Sequence, residues 1–222
     1  MLFQTIAIMG IGATAAACLA HWLVAGRKAR RFTGPRAVRR YTAWERLVHL
    51  ALTVGLLAAA VTAFIPAIQG MELRGYLLLL HVAISPIFAV ALVPAALRWA
   101  EDCRFRKYDR LRCRGGNAPA GKFEASQKLL FWACLLLGLT TVLSAVLQMF
   151  SLFGPEGIGA LLEVHRYSAL LLLMAVMIHS YMTTLAKPGS WQAMVSGKVG
   201  ADWARHHYPI WAEGSKVEET RQ

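Results

Sequence analysis

Long apolar runs alternate with short charged ones along the chain. Uncharged stretches cover residues 1–26, 47–71, 75–97, 129–155 and 167–186. Each reaches the ~18–20 residues that a helix needs to cross the hydrocarbon core of a bilayer. The pattern predicts an all-α integral membrane bundle of five transmembrane helices, over about 3–25, 44–68, 75–99, 128–153 and 162–187. Pro66 is expected to close or kink the second helix, and Pro86 and Pro94 to interrupt the third. The stretch 153–159 (FGPEGIG) reads as a turn, and Gly115, Gly116, Asn117 and Pro119 mark an irregular loop.

Charge gives the bundle a direction. Residues 26–40 carry seven Lys/Arg and no acid, and 98–128 carry nine against four acids. The connections at 69–74 and 153–159 are nearly neutral or acidic. By the positive-inside rule the basic segments and the polar tail 187–222 lie in the cytoplasm. The first apolar run has no charged region before it, and its positive charges follow it. It therefore reads as a retained helix with its N-terminus outside, not as a signal peptide.

Composition supports one membrane domain with no large soluble part. Charged residues are 16% of the chain, below the ~25% of soluble domains. The net charge of +12 is explained by the basic loops, so no nucleic-acid partner is expected. The cysteines, Cys18, Cys103, Cys113 and Cys134, form no CxxC and no CxxCH, which argues against covalent c-type haem and zinc knuckles. Cys103 and Cys113 read as free thiols on the reducing side.

The candidate chemistry lies in histidines. His165 and His179 are fourteen residues apart in one apolar segment. On a helix they point about 40° apart and sit roughly 21 Å apart along the axis. One imidazole near each end of a span, on one face, suits two stacked haems that each need axial ligands. His49 and His81 supply the partners by depth. His49 and His179 lie near the cytoplasmic ends of their spans, and His81 and His165 near the outer ends. Each pair can hold one haem b between helices, with the histidines as iron ligands. The competing readings are packing histidines in a haem-free anchor, or a metal or proton transporter. Metal transport usually adds carboxylates within the membrane. Here Glu45 and Glu163 lie only at span edges. Arg46 and Arg166 each neighbour a candidate ligand and suit either haem propionates or the membrane interface. His21, beside Trp22, reads as an interfacial residue.

Several motifs together resemble the cytochrome b556, or gamma, subunits of respiratory formate dehydrogenases. They are YTAWERLVHL (41–50), His81, KFEASQKLLFW (122–132), HRYSALLLLMAVMIH (165–179) and MVSGKVGADWARHHYPIW (194–211). The resemblance implies a diheme cytochrome b domain over 39–212, an added N-terminal helix and loop over 1–38, and a cytoplasmic tail over 213–222. It implies an electron-transfer subunit in the bacterial inner membrane. Electrons would enter at the outer haem from an iron–sulfur subunit that has a membrane helix. They would leave through the inner haem to menaquinone or ubiquinone. A molybdenum or tungsten catalytic subunit would stand behind the iron–sulfur partner, and the whole complex could form a higher oligomer. Carried over by position, His81 and His165 bind the outer haem, and His49 and His179 the inner. Where relatives often have Asn-Ala-Gly beside the quinone, this chain has Glu124, Ala125 and Ser126. Glu124 is either a proton donor there or a solvated loop acid, the second reading being slightly favoured. Related diheme subunits serve hydrogenases and other molybdoenzymes, so a partner other than formate dehydrogenase remains the alternative.

Overall fold

The computed structural model describes residues 1–29, 31–113, 119–150 and 152–219, with the side chains of 111–113 and 215–219 excepted. Among them are helices α1 (Leu2–Val24), α2 (Ala43–Ile68), α3 (Gly75–Trp99), α4 (Lys107–Cys113), α5 (Ala125–Gln148), α6 (Gly154–Tyr181), α7 (Ser190–Ser196), α8 (Ala201–His207) and α9 (Pro209–Glu219). Strands β1 (Val38–Arg39) and β2 (Lys198–Val199) form a small antiparallel ladder, Val38 opposite Val199 and Arg39 opposite Lys198. The chain is an all-α membrane bundle. Five helices, α1, α2, α3, α5 and α6 with the turn that follows it, are long and apolar enough to cross a bilayer. Few of their side chains are fully buried, and Val54, Val61, Val90 and Leu97 are exposed. That outward apolar surface is what lipid covers, while the backbone satisfies itself within each helix.

Several boundaries differ from the apolar pattern, each for a local reason. Helix α3 runs unbroken through Pro86 and Pro94. Helix α5 starts at Ala125 because the Gln127 side chain accepts from the Glu124 N–H at 3.0 Å, a cap that the apolar run does not reveal. It ends at Gln148, short of 153. Helix α6 begins at Gly154, so most of the expected 153–159 turn is helical. Gly154 reverses the chain at φ 62°, and Pro155 stands in the first turn, where its missing N–H is not needed. Pro66 does end α2, which stops two residues later. The segment 115–117 and the side chain of Cys113 lie outside the described residues.

The chain divides into two compact units. The first comprises Met1–Leu19, Val48–Ala96 and Ala133–Ile178. Ala7, Phe64 and Leu170 form one buried cluster in it, and Phe88, Leu92 and Leu172 another. Small residues let its helices touch. A Cβ on Gly55 of α2 would lie 2.6 Å from the Phe88 backbone nitrogen of α3. A Cβ on Gly138 of α5 would meet Leu92 and Phe88 at 3.1 Å. Between lipid-facing helices, close approach of this kind supplies the packing that water exclusion cannot.

The second unit comprises Ala20–Leu47, Leu97–Trp132 and His179–Gln222, and so gathers all three basic segments. Its polar tail supplies its core: Ala193, Val199, Trp203, Ala204, Tyr208 and Ala212 pack with Ala120 and bury one another. Arg40 is buried among aromatic rings, its guanidinium 4.0 Å from the Tyr208 ring centre and 4.8 Å from that of Trp211. It also donates to the Lys122 carbonyl at 2.6 Å. Thr42 and Glu45 form a capping box at the start of α2, with N–H bonds of 2.7 and 3.1 Å. The Glu45 carboxylate is further held by Arg98 at 2.8 Å. Lys128 pairs with Asp109 at 2.7 Å, and both side chains are buried.

Two substitutions, each with a control, test these contacts. Gly55→Ala should force α2 and α3 apart and lower stability by about 1–3 kcal/mol, as overpacking does. Gly12→Ala, whose Cβ meets nothing within 4 Å, should be neutral or better in thermal unfolding of the detergent-solubilised protein. Asp109→Asn leaves the Lys128 ammonium buried without its counter-charge and should destabilise by about 3–5 kcal/mol. Loss of the exposed Arg205–Asp202 pair should change stability by less than about 1 kcal/mol.

Candidate haem centre

Within the first unit the structure brings His81 of α3 and His165 of α6 together across the helix packing. Each is tied on one side to a neighbouring backbone. His81 Nδ1 lies 3.1 Å from the Ala59 carbonyl and 3.0 Å from the Thr62 hydroxyl of α2. His165 Nδ1 lies 3.0 Å from the Thr141 carbonyl of α5. A carbonyl only accepts, so Nδ1 carries the proton in both rings. That leaves the Nε2 lone pair of each imidazole as its ligand atom, with the second ring nitrogen holding the ring in orientation.

The two ring centres are 6.3 Å apart and the planes stand at 90°. Two metal–imidazole bonds of about 2 Å, with about 1.1 Å from nitrogen to ring centre on each side, span about 6.2 Å. The separation therefore fits one metal ion between the two Nε2 atoms. Among the described residues no group of three or more His, Cys, Asp or Glu is placed to hold a metal by itself. A haem, whose porphyrin supplies four nitrogens of its own, would ask the protein only for imidazoles such as these two. The residues present thus fit a bis-histidine haem.

His49 belongs to the first unit and His179 to the second. Thr53 donates to the His49 carbonyl at 2.8 Å, and its hydroxyl lies 3.4 Å from His49 Nδ1. Thr183 donates to the His179 carbonyl at 2.9 Å. The same device recurs at the other two histidines, Ser85 to His81 at 2.6 Å and Ser168 to His165 at 3.1 Å. All four candidate ligands are followed, three or four residues on, by a hydroxyl that bonds back to their carbonyl. That spacing is present in the sequence and distinguishes these four from His21, His206 and His207.

The remaining candidates have partners of their own. Arg46 donates through Nε to the Met194 carbonyl at 2.9 Å and through Nη2 to that of Val195. Arg166 pairs with Glu163 at 2.9 Å. Ser126 is exposed in the first turn of α5. Glu124 is not the solvated loop acid favoured from the sequence. It is 8% exposed and its carboxylate pairs with Lys187. The sequence reading missed this because the two residues are sixty-three positions apart and Glu124 stands in a hydrophilic stretch. His207 feels the same charges. Burial first, and then Lys187 and His206, hold its imidazole down at about 4, so it is neutral at physiological pH. Burial likewise pushes the Tyr208 hydroxyl and the Cys103 thiol up to about 12, keeping both protonated. His21 is bonded through Nδ1 to the Tyr181 hydroxyl, a contact that no interface reading anticipates.

Comparison with known proteins identifies the family. A family model described as prokaryotic cytochrome b561 matches residues 40–197. The nitrate-inducible formate dehydrogenase cytochrome b556(Fdn) subunit of Escherichia coli K12 is 32% identical over 98 residues, 42% of this chain and 45% of that protein. The chain thus spans about half the length of that relative. The formate dehydrogenase cytochrome b556 subunit of Haemophilus influenzae is 33% identical over 109 residues, 46% of this chain and 45% of its own. The cytochrome b556(fdo) subunit of Escherichia coli K12 is 25% identical over 196 residues, 78% of this chain and 90% of its own. With five apolar helices and a family match over most of its length, the chain belongs to the prokaryotic cytochrome b561 family of membrane proteins.

Proposed function

We propose that the chain is the diheme membrane cytochrome b subunit of a formate dehydrogenase. The observation that carries this is the His81–His165 pair, with its 6.3 Å ring separation and both Nδ1 atoms engaged elsewhere. His81 and His165 hold one haem b, and His49 and His179 hold the second. When bound, each haem supplies a one-electron carrier between the two faces of the membrane. The protein's part is to set the imidazoles, exclude water from them and fix the distance between the two centres. His165 and His179 share α6 and define that distance.

Orientation follows from charge. The basic segments 26–40 and 98–128 and the C-terminal tail stand in the cytoplasm, and the N-terminus in the periplasm. The outer pair then receives electrons from an iron–sulfur subunit that connects to a molybdenum or tungsten catalytic subunit. The inner pair passes them to membrane quinone, each quinone taking two electrons and two protons. Formate is inferred from the relatives' names, because no residue of this chain would touch it. Residues 39–212 carry the diheme domain. Glu124 and Ser126 flank the quinone, with Glu124 paired to Lys187. Arg46, bonded to the Met194 and Val195 carbonyls, and Arg166, paired with Glu163, stand near their haems' propionates.

The decisive measurement is a reduced-minus-oxidised optical spectrum of the purified protein with haem stoichiometry. Two low-spin b haems are expected. His81→Ala and His165→Ala should each remove one and the same haem, and His179→Ala the other. A haem-free protein, or one haem indifferent to all three, would sink the reading. The perpendicular imidazole planes add a separate test. Imidazoles held crossed in this way would leave the low-lying orbitals of a bound haem iron nearly degenerate. The oxidised outer haem should therefore give a strongly anisotropic low-spin resonance with one large g value. A rhombic spectrum for both haems would contradict the ring geometry.

A further inference from the structure

The first helix lies outside the stretch that the family model matches, residues 40–197. It is nevertheless one-sided. Phe3, Ala7, Gly10, Thr14, Cys18 and His21 recur every three or four residues, the spacing of a single helical stripe. Ala7 and Thr14 are its buried positions. In the first unit this stripe meets α6. The Phe3 ring stands edge-on to Tyr167 at 5.5 Å, two residues from His165. A Cβ on Gly10 would lie 3.1 Å from the Met174 sulfur.

In the second unit the stripe ends on His21. Its Nδ1 shares a hydrogen bond with the Tyr181 hydroxyl, and the rings cross at 85° with centres 5.6 Å apart. Tyr181 is buried, and a Cβ on Gly26 would come within 3.3 Å of its hydroxyl. Tyr181 also ends the regular part of α6. The next five residues, Met182–Ala186, form a π-helical turn. A wider turn frees carbonyls from the α-helical ladder, and hydroxyls take them up: Thr183 bonds to the His179 carbonyl and Thr184 to that of Ser180 at 2.6 Å. The position at which the helix changes pitch is therefore set two residues beyond His179, at the residue His21 holds.

We propose that His21 is a positioning residue for His179, fixing Tyr181 and through it the rotation of the last regular turn of α6. The added N-terminal helix thereby tunes the inner haem. The inference rests on the diheme reading above. It assigns to the first helix more than membrane anchorage, because its ends meet α6 next to both histidines of that helix.

The test uses the full chain in its purified complex and a redox titration that resolves the two haems. His179→Ala identifies the inner haem and His165→Ala the outer. His21→Ala and Tyr181→Phe should shift the midpoint potential of the inner haem and leave the outer one unchanged. His21→Gln, whose amide can still bond the tyrosine hydroxyl, should restore the wild-type potential. Tyr181→Phe removes one oxygen only, so the test survives if His21→Ala fails to fold. Two haems with unshifted potentials in both variants would overturn the positioning role and leave the diheme reading standing. Equal shifts of both haems would also overturn it, since general loosening of the bundle moves both. A wild-type protein with fewer than two haems would overturn the diheme reading, and this inference with it.

Discussion

An imidazole has two nitrogens, and within a bilayer neither is cheaply left without a partner. The candidate centre depends on how that constraint is met. Helices α2 and α5 offer the carbonyls of Ala59 and Thr141 to the Nδ1 protons of His81 and His165. Only then is each ring left with a single lone pair, on Nε2, to give to a ligand. The carbonyls must be at hand, which requires the helices to approach closely. Gly55 and Gly138 permit that approach around Phe88. Packing, tautomer and ligand direction are thus one problem solved by one arrangement of four helices.

The second unit solves a different problem, that of burying charge. Glu45, Arg40, Lys128 and Asp109 are all nearly inaccessible, and each is matched by an opposite charge, a carbonyl or an aromatic face. Removing one member of such a set is more damaging than the set is stabilising. These groups therefore specify how the polar connections fold more than they add to stability. The result is a packed layer built from segments that composition alone presents as loops and tail.

Much of the fold was readable from apolar run length, because a bilayer imposes a minimum span that few other contexts demand. Helix α3 could be read to both its ends. The starts of α5 and α6 could not, because the Gln127 cap and the Gly154–Pro155 turn are polar or neutral signals outside the apolar run. The four histidines stood out because ionisable side chains are rare in spans. Glu124 was misjudged, since its partner Lys187 comes from a distant part of the chain. The partner of His21, Tyr181, was out of view for the same reason, being set by tertiary packing. The hydroxyls that follow each histidine were visible in the sequence, but without geometry nothing marked them as bonded to the same carbonyl every time.

The two-residue ladder between β1 and β2 has a bearing beyond the contacts it makes. Val38 and Arg39 stand immediately before the family-matched stretch, and Lys198 and Val199 immediately after it. The ladder therefore ties the beginning of the shared module to its end. A module whose ends are joined can accept new sequence upstream without any rethreading of what it already contains.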